Sequence, residues 1–415
     1  MASVLLDRAF AHFVTLGRLD VHYPGGDRRA YVGGPGPRAG MWIADGETVR
    51  ALLLDPALKL GEAYMAGRLR PVDCTLYDLM HVLMLNIMRR SPAGERIFGS
   101  LRYIARTWLQ NNTLRRARRN VAHHYDLDSR LYRLFLDADM QYSCGYFPTG
   151  TETLAQAQAA KKHHLAAKLH LSRPGMTVLD VGCGWGGMAL TLARDYGAQV
   201  TGITLSVEQL HIARQRARAA GLDGRVRFEL LDYRAVIRRY DRIISIGMFE
   251  HVGVAHYPAF FDTMRAALHP HGVMVLHSIG RREGPGVTNP WIDRYIFPGG
   301  YSPAVSEAVS AVERAGLWLT DCEIWRLHYA RTIAHWRRRF AARRQQVALL
   351  YDERFCRMFE FYLVVSELAF RVQGHLNFQL QLVRDINAVP LSRDYMYAPQ
   401  PVGLPDQDSV AALRA

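Results

Sequence analysis

Residues 177–187 read TVLDVGCGWGG, an apolar strand running straight into a glycine turn. A buried strand that closes on D-x-G-x-G-x-G lets backbone pass close beneath a nucleoside and delivers a helix amino terminus beside it. The register Gly182, Gly184, Gly187 also occurs in dinucleotide folds, which place an acid about 20 residues later. Here the next strand, 198–203, runs into GITLS at 202–206, which has no acid. Working outward, helical patterns at 188–196 and 208–220 alternate with a strand at 226–231 that ends in Asp232-Tyr233. Further strands at 242–246 and 272–276 run into Gly247-Met248-Phe249-Glu250-His251 and His277-Ser278-Ile279. Five strand–helix alternations predict an α/β fold with a doubly wound, mostly parallel sheet. Polar residues gather at the strand carboxyl ends, where such sheets bind ligands.

The first ninety residues read as a different unit, a small α+β domain. Leu19, Val21 and Tyr23 alternate before the turn at 24–27, and short strands are expected at 30–32 and 40–44, with 33–40 as a surface loop. Helical patterns follow at 48–54 and 75–88, where Leu79, Val82, Leu83 and Ile87 read first as core and second as a lipid groove. The expected division is an accessory domain at 1–95, a basic linker helix at 96–120, a catalytic domain at 121–397 and a tail at 398–415.

No run approaches the roughly 18–20 uninterrupted apolar residues of a membrane span. The opening MASVLLDRAFAHF carries Asp7 and Arg8 within its apolar stretch and reads as an amphipathic helix rather than a signal peptide. The cysteines at 74, 144, 183, 322 and 356 show no metal spacing and suit a reducing cytoplasm. A net charge of +14 predicts attraction to a polyanion. Nearly all of it is arginine, since lysine occurs only at 59, 161, 162 and 168. Arginines cluster at 102, 106, 115, 116, 118 and 119, and again at 331, 337, 338, 339, 343 and 344. An anionic bilayer, a nucleic acid or a merely solvated basic face would each account for them.

Seven ordered blocks carry a resemblance that spans almost the whole chain: HHYD at 123–126, YSCGYF at 142–147, VLDVGCGWGG at 178–187, GITLSVEQ at 202–209, GMFEHVG at 247–253, HSIG at 277–280 and RYIFPGGY at 294–301. In these the chain resembles the cyclopropane-fatty-acyl-phospholipid synthases and the related mycolic acid cyclopropane synthases. The resemblance implies a Rossmann-like class I methyltransferase that uses S-adenosylmethionine, with bound bicarbonate as base. It also implies a homodimer acting in the cytoplasm at the inner face of the membrane, on unsaturated acyl chains of anionic phospholipids and not on nucleic acid. GEAYMAGRL at 61–69 resembles the family's accessory domain, which is linked to lipid engagement.

An isolated alkene is a poor nucleophile, so a sulfonium methyl must be held in line with the double bond and away from water. Ring closure then needs a positioned base to remove a proton from the added methyl. By resemblance, the bicarbonate cradle comprises Glu250, His277 and Tyr329 with the backbone N–H groups of Cys144 and Ile279. The cofactor would lie against Gly182, Cys183, Gly184 and Gly186, with Thr204 and Gln209 at the ribose, Asp232 at the adenine, Tyr233 beside it, and Tyr142 and Ser143 closing over the methionine end. Taken alone, Glu250 reads equally as a helix amino-terminal acid, His277 as a core histidine, and Thr204 and Ser206 as helix caps. Tyr233 and Trp185 read equally as packing residues. Methyl transfer to an alkene needs no thiolate, so Cys144 is expected to matter through its backbone. The aromatic loop with Trp291, Tyr295, Ile296, Phe297 and Tyr301 is expected to line an acyl tunnel. HYDLDSRLY at 124–132 departs from the family's HYDxGNxFY at Asp128-Ser129 and Leu131, which bears on substrate identity before it bears on methyl transfer. The open alternatives are methyl or methylene branching, a small-molecule or nucleic-acid acceptor, and a lipid-binding protein without turnover.

Overall fold

The computed structural model describes residues 2–89 and 129–397. The arginines at 102–119, the HHYD block, Asp128 and the tail at 398–415 lie outside the described residues. The described chain divides into two units, neither continuous in sequence: 2–89 with Pro285–Gly300 and Tyr329–His375, and 129–284 with 301–328 and 376–397. The division differs from the continuous domain expected over 121–397, because two stretches of that range pack with the amino-terminal segment.

The first unit is built on a sheet of order β2-β1-β3-β4, comprising β1 (Leu16–His22), β2 (Arg28–Val32), β3 (Gly34–Ile43) and β4 (Leu69–Val72). β1 pairs antiparallel with β2 and parallel with β3, and β3 pairs antiparallel with β4. Alternation along β1 sends Leu19 and Val21 fully inside and leaves Arg18, Asp20 and His22 on the opposite face. The loop expected at 33–40 is instead strand from Gly34 onward. Its glycines serve close backbone approach: a Cβ on Gly36 would lie 2.7 Å from the Gly17 nitrogen, and one on Gly40 2.5 Å from the Val72 oxygen.

The GEAYMAGRL block explains how 285–300 joins this unit. On helix Pro56–Met65, a Cβ at Gly61 would lie 2.5 Å from the Trp291 indole nitrogen, and that N–H donates to Met65 Sδ at 3.3 Å. Glu62 accepts from Lys59, Tyr295 and Arg294, and the Tyr64 hydroxyl donates to Glu360. Trp291 is fully buried, with its ring edge-on to Phe361 at 4.6 Å. Trp291 thus packs in the core of this unit, its indole lying where Gly61 leaves room for it.

The second unit holds a seven-stranded sheet: β5 (Thr177–Val181), β6 (Gln199–Thr204), β7 (Val226–Leu230), β8 (Tyr240–Ile246), β9 (Leu268–Arg281), β10 (Trp318–Trp325) and β11 (His375–Val383), in the order β10-β11-β9-β8-β5-β6-β7. β7, β6, β5, β8 and β9 are parallel, and β10 is antiparallel to β11. Both faces are covered, so β5 is apolar on both: Val178 packs with the helices Leu154–Leu169, Gly187–Tyr196 and Val207–Ala219, and Leu179 and Val181 with Tyr257–Ala267 and Val305–Arg314. Strand order reverses between β5 and β8, which opens a crevice at their carboxyl ends.

Candidate active site

At the end of β5 the chain turns through three left-handed glycines, with φ of 81° at Gly182, 53° at Gly184 and 83° at Gly186. The turn is tied to the next strand, since the N–H groups of Gly182 and Cys183 both donate to the Ile203 carbonyl at 3.0 Å. A Cβ on Gly182 would lie 2.8 Å from Met248, whereas one on Gly184 would meet nothing within 4 Å and would project into open space. That space is a cavity lined by Tyr142, Ser143, Gly182, Cys183, Gly184, Thr204, Gln209, Asp232 and Tyr233, so the structure assembles nine of the ten expected cofactor residues. Gly186 is the exception. Its α-hydrogens face Phe228, whose ring a Cβ would meet at 2.6 Å, and Gly187 takes the place on the wall. Gly186 forms the entry to helix Gly187–Tyr196, where the reversal turns its Cα away from the cavity.

The Thr204 hydroxyl donates to Gln209 Oε1 at 2.9 Å and accepts from the Ser206 N–H, while Ser206 caps the helix Val207–Ala219. Capping therefore falls to Ser206, and the amide nitrogen of Gln209 is the donor of the pair left to face a ligand. Asp232, at the end of β7, is buried and accepts from the N–H and guanidinium of Arg234. Tyr233 lies edge-on to Phe260 beneath the Arg234 guanidinium. The Cys183 thiol is pushed far up by burial and stays protonated.

A second layer escaped the sequence reading. Helix Leu154–Leu169 carries three of the chain's lysines, all buried. Lys161 donates to Gln141 Oε1 at 2.6 Å and Ser143 Oγ at 2.8 Å, Lys162 donates to Asp139 at 2.6 Å, and Gln158 donates to the Ser143 carbonyl at 2.8 Å. These bonds fix the segment that puts Tyr142 and Ser143 into the cavity. Asp180, also on the cavity wall, is 2% exposed, and burial raises its carboxyl to about 7 against the opposing influence of Lys161. Burial brings Lys161 down to about 8, with Lys162 acting in the same direction. A buried acid followed by the glycine turn was visible in the sequence; the lysines were legible only as exceptions in an arginine-rich chain.

The strand expected to end at 276 continues, so His277 lies within β9, level with Ile246 at the end of the adjacent β8, and Glu250 lies in the single 3-10 turn, Phe249–His251, that follows β8. The Ile279 N–H donates to Glu250 Oε1 at 2.6 Å, and buried Oε2 has no partner. Burial raises the Glu250 carboxyl to about 7. His277 is 1% exposed, and burial holds its imidazole neutral, down to about 3. Asn377 Nδ2 lies 3.4 Å from its Nε2, and Gln379 Nε2 lies 3.2 Å from its Nδ1. A neutral ring has one N–H, so one of these amides must present its oxygen to it and turn its NH₂ outward. The ring is held edge-on to Trp325 at 5.2 Å, and the Trp325 indole N–H donates to Glu323 at 2.8 Å.

Cys144 is fully buried, its thiol donating to the Gly145 carbonyl at 3.4 Å. The Ile279 N–H, expected to bind an anion, is engaged by Glu250. Tyr329 belongs to the first unit, where its ring packs with Trp336 and Phe370. Asn377, Gln379 and Trp325 had no signal in the sequence, because β10 and β11 reach His277 from about fifty to a hundred residues away.

The sheet order and the cavity at the strand carboxyl ends define a class I methyltransferase fold. Residues 112–380 match the family model described as mycolic acid cyclopropane synthetase, and the chain belongs to that family. It is 40% identical over 290 residues to a probable fatty acid methyltransferase of Pseudomonas putida, covering 67% of this chain and 73% of that one. It is 35% identical over 359 residues to the cyclopropane-fatty-acyl-phospholipid synthase of Escherichia coli K12, covering 84% and 88%. Among solved structures, the mycolic acid cyclopropane synthase CmaA1 complexed with SAH and CTAB superposes with a TM-score of 0.60 at 33% identity, covering 64% of this chain and 97% of that one.

Proposed function

We propose that this protein is an S-adenosylmethionine-dependent lipid methyltransferase that converts cis double bonds of unsaturated phospholipid acyl chains into cyclopropanes. The observation that carries the reading is a cavity at the glycine turn together with a buried acid in the turn after β8 and a buried neutral histidine on the adjacent strand β9, close to the cavity residues Gly247 and Met248 in sequence and register. The open space at Gly184, the free amide of Gln209 and the buried carboxylate of Asp232 fit a nucleoside sulfonium. When bound, that cofactor supplies an electrophilic methyl group. Asp232 would accept from the adenine amino group, and Gln209 would donate to the ribose. Ser143, held by Lys161, would close the methionine end and keep water from the sulfonium.

After methyl transfer the alkene carbon is cationic, and a proton must leave the new methyl for the ring to close. Near neutral pH Glu250 is partly protonated and His277 is neutral, so the pair can hold a proton-accepting anion without adding positive charge. The outward NH₂ of Asn377 or Gln379 and the unpartnered Oε2 of Glu250 fit bicarbonate in that role. The Ile279 N–H would join only as Glu250 Oε1 releases it.

The test is to incubate the protein with methyl-deuterated S-adenosylmethionine, with and without bicarbonate, and vesicles of monounsaturated phosphatidylglycerol. Fatty esters gaining CD₂, and inert to alkene hydrogenation, are expected, with turnover rising on bicarbonate addition. A retained CD₃ group would establish methyl branching, the reading the Pseudomonas putida relative's description favours. Cofactor binding without labelled lipid would overturn the lipid substrate.

A further inference from the structure

The arginine run at 331–344, which the sequence marks as a polyanion grip, is largely engaged within the first unit. Arg337 pairs with Glu367 at 2.9 Å and lies over the Tyr77 ring, and Arg344 pairs with Glu353 and Glu360. Arg338 donates to the Ala334 carbonyl, and Arg331, Arg339 and Arg343 have partners of their own. Consecutive arginines on a helix point all round it, and here acids from the same unit meet several of them.

Arginines scattered in sequence gather instead on the outer face of the four-stranded sheet. Register places Arg28, His22, Trp42 and Arg70 in one row across β2, β1, β3 and β4. The next row holds Ala30, Asp20, Gly40 and Val72, and the third holds Val32, Arg18 and Arg38. Small residues in the middle row leave a shallow hollow, and Arg18, Arg28 and Arg38 stand on its lining. Arg28, Arg38 and Arg70 are exposed, and among the described residues none of the three has a carboxylate within ion-pair distance. The acids in the hollow are Asp20, already held by Arg18 at 3.0 Å, and exposed Asp73 at its edge. Two further groups share the face: Val32, which is 70% exposed, and Trp42, which carries the Arg70 guanidinium 4.3 Å above its ring.

We propose that this sheet face docks the protein on an anionic phospholipid bilayer, with lipid phosphodiesters in the hollow between Arg18, Arg28 and Arg38 and with Trp42 and Val32 against the headgroup–acyl boundary. Charge complementarity selects the occupant. Guanidinium groups bind phosphate bidentately, and a tryptophan capped by the Arg70 guanidinium with an exposed aliphatic residue on the same face suits a surface that is charged outside and apolar within. A nucleic acid would satisfy the arginines but gives Val32 no partner. The proposal rests on the lipid-substrate reading above, since it says how such a substrate is reached.

The test compares the wild type with an Arg28→Gln/Arg38→Gln/Arg70→Gln variant by co-sedimentation with phosphatidylglycerol and phosphatidylcholine vesicles. An Arg218→Gln/Arg238→Gln/Arg239→Gln variant serves as a control of equal net charge. The wild type is expected to bind phosphatidylglycerol and not phosphatidylcholine. At about fivefold per arginine, the sheet variant should bind about a hundredfold more weakly, and the control should stay near wild type. Turnover of detergent-dispersed lipid should be the same in all three. Equal loss in both variants, undiminished binding by the sheet variant, or a wild type that binds DNA but no vesicle would each overturn the docking face. Failure of the wild type on detergent-dispersed lipid would overturn the substrate reading instead. Should the sheet variant misfold, a Val32→Cys protein bearing an environment-sensitive dye decides the matter: a blue shift on phosphatidylglycerol supports the face, and an unshifted spectrum overturns it.

Discussion

Asn86 in the first unit and Glu250 in the second are both buried polar residues, and they are treated in opposite ways. Asn86 accepts from the N–H groups of Thr15 and Leu16 and donates to the carbonyls of Leu16 and Val82, so both ends of its amide are used. Glu367 in the same unit is likewise satisfied, by Arg337 and Arg371. Glu250 keeps one oxygen unpartnered, as does Asp180 in the second unit, and of the amides Asn377 and Gln379 only the one that turns its oxygen to His277 has it used. An unsatisfied buried polar atom costs about 1–3 kcal/mol, so a cluster of them persists where something else uses the open valences. The contrast separates polar groups that hold the fold from those that await a ligand.

Substitutions at each kind of site probe this contrast. The largest effect is expected at His277: His277→Ala should lower kcat about a thousandfold while cofactor affinity, read by calorimetry, stays near wild type. Lost cofactor binding would place His277 among structural groups like Asn86.

Next in size is a pH effect. Between pH 4.5 and 7 folded Glu250 keeps a proton that the unfolded chain releases, so this group's contribution to stability falls as pH rises through that window, opposite in sign to that of the buried neutral His277. The fall should reach about 3 kcal/mol from this group, and Glu250→Gln should remove that part of the slope in urea unfolding at several pH values. An unchanged slope would mean that Glu250 is solvated like an ordinary acid.

Lys161→Met should weaken cofactor binding about thirtyfold, because Ser143 and Gln141 lose a charged donor; an unchanged Kd would detach the lysine layer from the site. Asn86→Ala should cost about 2 kcal/mol of unfolding free energy, read by urea denaturation, and leave kcat unaffected. Cys144→Ser sharpens the contrast from the other side, since activity within about threefold of wild type fits a backbone role and abolished activity with intact folding would show that the thiol matters.

Much of the second unit was legible beforehand. The period of its apolar residues and the polar residues at strand ends gave the parallel sheet, and nine of ten cofactor positions line one cavity. Three alternate glycines look alike in sequence, and only the built turn shows that Gly186 is the one with Phe228 beside its α-carbon. The first unit was less legible. Gly33 to Gly40 has the composition of a loop, yet parallel pairing with β1 makes most of it strand, and that pairing brings together residues about twenty apart.

The sequence by itself determined the class of fold and the cofactor turn, because each is written in local order, a strand followed by a glycine turn; it marked Glu250 and His277 only through the motifs around them, since position alone reads each equally as a structural residue. Only the tertiary structure decided that Trp291 is core, that Lys161 and Lys162 buttress the cofactor wall, and that Asn377 and Gln379 flank His277. The same is true of the arginines. Arg337 and Arg344 of the 331–344 run are met by acids from elsewhere in the first unit, while Arg18, Arg28, Arg38 and Arg70 share a face through strand register, which relates residues by pairing and not by distance along the chain.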